Sequence, residues 1–180
     1  MVSKTRMTAA EFFQLPETNQ PTELIDGELI MSATPVPKHQ RLNRRFIILL
    51  DDLIPNGELF FAPIGVYFDE ENIPEPDIVW VAENSKCVVG DKYLEGPPDL
   101  IIEIFSPGTA TRDKREKYQL YQRYGVREYW MVDPVGQYVE VCVLKDGKFM
   151  QQGVYGPDDS FESPVLGGKT VELKGIFAGE

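Results

Sequence analysis

Residues 100–105 read Leu-Ile-Ile-Glu-Ile-Phe, and this stretch decides the fold. Its nearly continuous apolar character predicts a central β-strand that is covered on both faces of a sheet. Glu103 is the one charged residue in it. A buried carboxylate without a partner costs several kcal/mol or more, so Glu103 requires a cation, a metal ion or a proton beside it.

The segments after this strand predict its connection to a neighbour. A helix is expected from Thr111 to Tyr124, where Gly125 ends it. A second strand, apolar on both faces, is expected from Glu128 to Val132. Strand, helix and strand then form a right-handed βαβ unit.

Further elements flank this unit on both sides. Thr8 and Glu11 form a capping box for a short helix that is expected from Ala9 to about Leu15. Asp26-Gly27 is a strong hairpin signal. These patterns predict one α/β domain over residues 1–180, with a mixed central sheet, flanking helices and additional hairpins. The other predicted elements are a hairpin over 23–31, a helix over 39–54, strands over 58–68 and 77–81, a hairpin of 137–144 with 148–152, and β-like segments over 165–177.

Composition narrows the class of protein. The chain has 180 residues, 42% of them apolar, which is enough for a core without disulfide bonds. Cys87 and Cys142 match no zinc-site spacing and indicate a reducing compartment, with a disulfide between them as the minor alternative. The N-terminus lacks the apolar run of a signal peptide, and the longest apolar run, 46–50, is too short to span a bilayer. We therefore expect a cytoplasmic protein with no membrane association.

The net charge of −11 bears on possible partners. It disfavours avid, nonspecific binding to nucleic acid, which depends on Lys and Arg neutralising phosphates. It does not exclude an enzyme that acts on nucleic acid, because a bound metal ion supplies local positive charge at an acidic site.

Asp77 is the second residue that points to chemistry. It follows Pro76 and opens the apolar segment 78–81, although Asp is depleted in strands. If neighbouring strands bring Asp77 and Glu103 together, a divalent cation such as Mg²⁺ or Mn²⁺ would relieve their repulsion. Two alternatives remain open: Asp77 starts a strand at a turn, or Glu103 forms a structural ion pair with Lys or Arg.

The helix after residue 105 offers a lysine to complete such a site. Lys114 and Lys117 both lie on it, and an ammonium group could position a water molecule or neutralise charge on a phosphate. The alternative for Lys117 is a surface ion pair with Asp113, four residues earlier.

Together these residues resemble a known group of enzymes. Pro76-Asp77, followed 26 positions later by Glu103 in an apolar strand, resembles the PD-(D/E)XK, or restriction-endonuclease-like, nuclease superfamily. A longer pattern, over about residues 8–143, looks like a bacterial branch of it assigned as restriction endonucleases of unknown biological role. That pattern comprises the segment 98–107, then Thr109, Asp113, Lys117, Tyr121, Gly125-Val126 and Glu128-Tyr129-Trp130, with the hairpin 23–30, Pro35 and His39 upstream.

The resemblance implies a fold, a reaction and a set of site residues. The fold is a mixed sheet flanked by helices, and the reaction is Mg²⁺-dependent phosphodiester hydrolysis. The leading hypothesis is an endonuclease that acts on DNA, and the sequence leaves RNA open as the alternative. Asp77 and Glu103 would bind the metal. The superfamily's lysine usually stands two residues after the glutamate, where this chain has Phe105, so its role would pass to Lys117.

The resemblance also implies a homodimer, because cutting both strands of a duplex usually requires two sites. The β-rich segment after Gln137 is a candidate interface, since edge strands invite pairing.

Three further residues are auxiliary candidates. By the resemblance, Glu23 is a third acid near the metal; its alternative is an ordinary exposed hairpin residue. His39, the only histidine, could contact substrate or transfer a proton, or be solvated at a helix start. Ser106 could orient water or phosphate, or only begin a loop. By contrast, we expect Glu75, Asp91, Glu95 and Asp99 to be solvated loop charges.

Two other functions remain open. The first is a catalytically inactive nuclease fold that serves as a binding or assembly module, which the acidic balance and Phe105 favour. The second is a phosphohydrolase acting on a small substrate.

Overall fold

The computed structural model describes residues 6–16, 18, 20–54, 56–106 and 110–179, with the side chains of 110–113 outside the described set. The helices in this part of the chain are α1 (Ala9–Phe12), α2 (Pro37–Leu53) and α3 (Ala110–Tyr124). The strands are β1 (Thr22–Ile25), β2 (Glu28–Met31), β3 (Glu58–Phe61), β4 (Val66–Tyr67), β5 (Ile78–Val81), β6 (Val88–Val89), β7 (Leu94–Glu95), β8 (Leu100–Ile104), β9 (Glu128–Asp133), β10 (Tyr138–Lys145), β11 (Lys148–Tyr155), β12 (Ser160–Ser163) and β13 (Lys169–Glu172).

A six-stranded mixed sheet forms the centre of the fold. Its strand order is β11-β10-β9-β8-β5-β3. Strands β8 and β9 pair in parallel and are connected through α3, whereas the other neighbours pair antiparallel. The mixed α/β fold with a central sheet predicted from the sequence is therefore confirmed, and β8 lies inside the sheet.

Both faces of this sheet are covered, because alternate side chains of β8 enter two different cores. Leu100, Ile102 and Ile104 pack with α2 and with the C-terminal segment that contains β12 and β13. Ile101 packs on the opposite face, with residues of α3 such as Tyr121. This double cover explains the lack of polar alternation in the sequence of β8.

Short sequence signals account for several turns and helix ends. The backbone of Asp26 and Gly27 is left-handed, with φ of 47° and 73°, as the tight turn between β1 and β2 requires. The Thr8–Glu11 capping box is present, although α1 ends at Phe12, earlier than residue 15. Residues 58–68, predicted as one strand or as two strands bent at Pro63 or Gly65, form two strands, β3 and β4, which belong to different sheets.

Two buried carboxylates tie distant segments to the sheet. Glu128 accepts hydrogen bonds from Trp130 Nε1 at 2.7 Å and from the backbone nitrogen of Val165 at 3.1 Å. Asp99, predicted to be a solvated loop charge, is buried and accepts hydrogen bonds from Ala82 N and Arg127 Nη1. That prediction was wrong because the partners of Asp99 are distant in sequence, so its burial leaves no local signature.

The helices described here are all too short or too polar to cross a bilayer.

We expect Gly57→Ala to destabilise the fold far more than Gly147→Ala. Both glycines have positive φ, 81° and 75°. A Cβ at Gly57 would lie 2.2 Å from the backbone oxygen of Val81, whereas a Cβ at Gly147 would meet nothing within 4 Å. The loss of unfolding free energy should be about 1–2 kcal/mol for Gly147→Ala and more than about 3 kcal/mol for Gly57→Ala.

Urea denaturation followed by the fluorescence of the buried Trp80 and Trp130 measures both losses. Equal losses in the two variants would show that backbone conformation alone, and not the contact with Val81, requires a glycine at position 57.

Candidate active site

The pairing of β5 with β8 brings two predicted site residues to one end of the sheet. Because the strands are antiparallel, with Ile78 opposite Ile102, the beginning of β5 lies beside the end of β8. Asp77 directly precedes β5, and its Oδ2 accepts a hydrogen bond from the backbone nitrogen of Ile104 at 2.7 Å. Asp77 and Glu103 line the same cavity, which has a volume of about 250 Å³.

Glu103 is buried, with 6% of its surface exposed, and points toward α3. Its Oε1 accepts hydrogen bonds from Lys117 Nζ at 2.9 Å and from the hydroxyl of Tyr121 at 2.6 Å. Both donors lie on the same face of α3, because they are four residues apart. The single charged residue of β8 thus has two partners, one of them a cation.

Lys117 is also buried, with 7% of its surface exposed, and connects two carboxylates. Its Nζ lies 2.9 Å from Glu103 Oε1 and 2.8 Å from Glu23 Oε1, so one ammonium group links α3, β8 and β1. The surface position considered for Lys117 is therefore wrong; the side chain of Asp113, its suggested partner, is outside the described set. Pro107 and Thr109 of the sequence pattern also lie outside the described residues.

Glu23 is buried rather than an exposed hairpin residue. Besides its ion pair with Lys117, its Oε1 accepts a hydrogen bond from the backbone nitrogen of Glu75 at 2.8 Å. Glu75 is half-buried, lines the cavity and accepts a hydrogen bond from Thr22 N, so it is not a solvated loop charge. Contacts with distant segments hold both acids: Glu23 pairs with Lys117 of α3, and Glu75 bonds to the backbone of Thr22.

The side chains that line this cavity include more carboxylates than ammonium groups. Burial raises the pKa of Glu103. The positive charge of Lys117 lowers it, and the negative charges of Asp77 and Glu23 raise it further. The net effect is a raised pKa. Burial lowers the pKa of Lys117, but the two glutamates outweigh burial and raise it. Lys117 therefore stays protonated, and the surplus negative charge is available to a proton or a metal cation.

His39, in the first turns of α2, faces Asp77. Its Nε2 lies 3.2 Å from Asp77 Oδ2, and its side chain is largely buried, so the solvated position considered for it is wrong. Burial lowers the pKa of His39, but the hydrogen bond and charge of Asp77, with the charge of Glu103, outweigh burial and raise it. Ser106 also lines the cavity, at its exposed rim.

The donor atoms present fit a hard divalent cation that keeps part of its water shell. Among the described residues no hydrogen bond reaches Asp77 Oδ1 or Glu103 Oε2, so each carboxylate has an oxygen left for an ion. The same residues contain no group of three or more His, Cys, Asp or Glu arranged as a metal site. Mg²⁺ suits such a site, because it commonly takes one or two carboxylates and completes its shell with water and substrate phosphates.

One hydrogen-bond partner of Glu103 was missed by sequence reasoning. The sequence pattern contains Tyr121 but gives it no role in the site; the residue packs in the core, and its hydroxyl donates to Glu103. Its position four residues after Lys117 was a signal, because both side chains then share a helix face.

The comparisons with known proteins agree with this architecture. Residues 9–173 match the model of the family Uma2, whose description is "Putative restriction endonuclease". An uncharacterized protein from Synechocystis sp. is 30% identical over 132 residues, which are 71% of this chain and 75% of that protein.

A solved structure shares the fold. It is described as a putative nuclease belonging to DUF820 from Anabaena variabilis, with a TM-score of 0.79 and 23% sequence identity. The similarity covers 96% of this chain and 98% of that one.

We expect Lys117→Met to be strongly destabilising and Lys114→Met to have little effect. The first change leaves Glu23 and Glu103 buried without their cation, which costs about 3–5 kcal/mol. Lys114 pairs with Glu140 at 2.6 Å in a half-exposed position, and losing such a pair costs less than about 1 kcal/mol. The matched control thus separates a buried ammonium group from an exposed one on the same helix.

The loss in Lys117→Met should shrink as the pH falls from about 8 to about 5, because a carboxyl group with a raised pKa takes up a proton more readily in the folded state. Urea unfolding at both pH values measures it. A loss of less than about 1 kcal/mol at pH 8 would contradict the ion-pair arrangement.

Proposed function

This chain belongs to the Uma2 family, and on that premise we propose that it is a Mg²⁺-dependent endonuclease that hydrolyses phosphodiester bonds of DNA. Asp77 and Glu103 are the metal ligands, and Lys117 is the catalytic lysine. The observation that carries the proposal is the convergence of these three side chains, from three separate elements, on one cavity.

The family and the fold support the nuclease assignment. The family description names restriction endonucleases, and a protein of the same fold from Anabaena variabilis is described as a putative nuclease. The chain departs from the superfamily pattern at Phe105, whose ring packs in the core beside α3. Lys117 reaches Glu103 from α3, and this contact supports a migrated lysine.

The metal would be held by the free oxygens of Asp77 and Glu103. When bound, Mg²⁺ lowers the pKa of a water ligand and stabilises negative charge on a phosphate. The backbone nitrogen of Ile104 fixes the orientation of Asp77, and Tyr121 fixes that of Glu103. This preorganisation reduces the cost of assembling the site.

Lys117 contributes a positive charge at the base of the cavity. Its ammonium group donates to Glu103 and can donate to a substrate phosphate oxygen or to the attacking water, because it has three N–H groups. Glu23 is a positioning residue, since it holds Lys117 from the opposite side.

His39 and Ser106 are auxiliary to this centre. His39 Nε2 contacts Asp77, which makes the imidazole a proton donor or acceptor beside the metal ligands. Ser106, at the rim after β8, can donate its hydroxyl to a phosphate oxygen.

A second candidate function is a catalytically inactive nuclease fold that binds or assembles with another molecule. The observation that favours it is the ion pairing of Lys117 with both Glu23 and Glu103, which partly neutralises the cavity without any metal. The net charge of −11 also disfavours broad contact with a polyanion. Metal binding and cleavage are therefore the two properties to measure.

We also propose a homodimer, because two sites would be needed to cut both strands of a duplex. The hairpin of β10 and β11 is the candidate interface: β11 is an edge strand and exposes Met150 and Val154. The mass of the chain in solution, measured by light scattering, tests this assembly, and a monomeric mass at all concentrations would exclude it.

Mn²⁺ or Mg²⁺ should raise the melting temperature of the natural chain but not that of Asp77→Asn. Only binding to the native state stabilises a protein, and saturation should shift the midpoint by about 5 °C or more. Asp158→Asn, at an exposed turn, is the matched control and should retain the full shift. If the ions shift none of the three proteins, the site does not bind metal and the inactive module becomes the better assignment.

Cleavage of plasmid DNA in Mg²⁺ should fall about a hundredfold or more in Glu103→Gln, because that change removes a metal ligand while preserving side-chain shape. Asp158→Asn should cleave like the natural chain. Activity that is lost in EDTA and in Glu103→Gln supports the nuclease assignment. Undiminished cleavage by Glu103→Gln would refute it and point to a contaminating nuclease.

A further inference from the structure

A second, larger groove of about 790 Å³ adjoins the candidate active site. One wall is a face of α2, and another is formed by residues 61–63 at the end of β3; Thr18, Gln20, Pro21 and Thr22 also line the groove. His39 and Asp77 line both the groove and the smaller cavity, so the two spaces meet at Asp77, one of the two proposed metal ligands. Whatever enters the groove therefore extends away from the reacting centre.

The α2 wall presents polar side chains near the site and apolar ones farther away. His39, Asn43 and Ile47 follow one another at intervals of four residues, which places them on one helix face. Arg44 and Ile48 line the groove beside them. The order along the groove is thus an imidazole, an amide with a guanidinium, and then aliphatic side chains.

Asn43 is the residue that points most directly to a ligand. Only 8% of its surface is exposed, and its Oδ1 is buried without a hydrogen-bond partner among the described residues. Buried polar atoms are normally hydrogen-bonded, but none of the described residues supplies a partner for Asn43 Oδ1. A bound ligand could supply it. An amide also offers a donor beside an acceptor, the combination that pairs with the edge of a nucleobase.

The opposite wall supplies an aromatic surface. Phe61 is 56% exposed although it is a large apolar side chain, and Ile48, across the groove, is 49% exposed. Aromatic side chains at the side of a groove bind nucleic-acid bases by stacking, largely independently of sequence. In a duplex the faces of the bases are already stacked, so only an unpaired base can use Phe61 in this way.

We propose that this groove binds unpaired nucleotides that flank the scissile phosphate, and hence that the substrate is single-stranded or locally unpaired DNA. This inference rests on the proposed nuclease function and specifies its substrate. A single-stranded substrate does not require the two sites that cutting a duplex does, so the homodimer is a separate proposal. One base stacks on Phe61, the amide of Asn43 contacts a base edge, and Arg44 faces the backbone phosphates. The net charge of −11 agrees with a single-stranded substrate, because binding by stacking requires fewer cationic contacts than binding the phosphate backbone of a duplex.

Binding without catalysis tests the groove directly. Fluorescence anisotropy in EDTA at low salt would compare a fluorescein-labelled single strand of about 12 nucleotides with the duplex of the same sequence. The natural chain should bind the single strand at least about tenfold more tightly, and Phe61→Ala should weaken that binding about tenfold. Asn43→Ala should also weaken it, whereas Phe13→Ala, a similarly exposed phenylalanine outside the groove, should not.

Equal binding of single strand and duplex, or equal effects of Phe61→Ala and Phe13→Ala, would overturn the inference. A fall in the solution mass of Phe61→Ala would also overturn it, because the groove would then be an interface between copies of the chain. The assay needs neither metal nor cleavage, so an inactive enzyme does not affect its result. Conversely, a chain that cuts duplex as fast as single strands would keep the nuclease function and lose this substrate assignment.

Discussion

The ammonium group of Lys117, held between the carboxylates of Glu23 and Glu103, is the interaction on which the rest of the site depends. It joins the first hairpin, the central strand and the helix that follows that strand. A charge buried this deeply must be paired, so the three elements can pack closely only together. The same requirement places a cation and two acids at the base of a cavity, where they are available for chemistry.

Sheet topology supplies the remaining part of the site. Since β5 and β8 are antiparallel neighbours, the start of one strand and the end of the other meet, and Asp77 hydrogen-bonds to the backbone after Glu103. The first helical turns of α2 then bring His39 to the same point. One end of the sheet therefore collects residues from four regions of the chain, while apolar side chains dominate the cores on its two faces.

Local patterns in the sequence predicted the elements and residues that such patterns encode. The apolar run of β8 indicated a central strand, and the single charge within it marked Glu103 as a candidate site residue. Burial of Glu23, His39 and Asp99 could not be predicted in the same way, because their partners lie 94, 38 and 28 residues away in hydrogen bonds or ion pairs formed only in the folded chain. The groove beside α2 has no sequence signature at all, since its two walls are separate segments.

The C-terminal segment that contains β12, β13 and residues 173–177 affects how the chain folds during its synthesis. Leu173, Ile176 and Phe177 complete the core that α2 forms with the sheet, and Glu128 anchors the segment through Val165. During synthesis, α2 and the strands β3, β5 and β8 are made before these residues, so one apolar face stays uncovered until residues 173–177 have been added. The nascent chain thus passes through a stage with exposed apolar surface, in which it is prone to aggregate and chaperones can bind it.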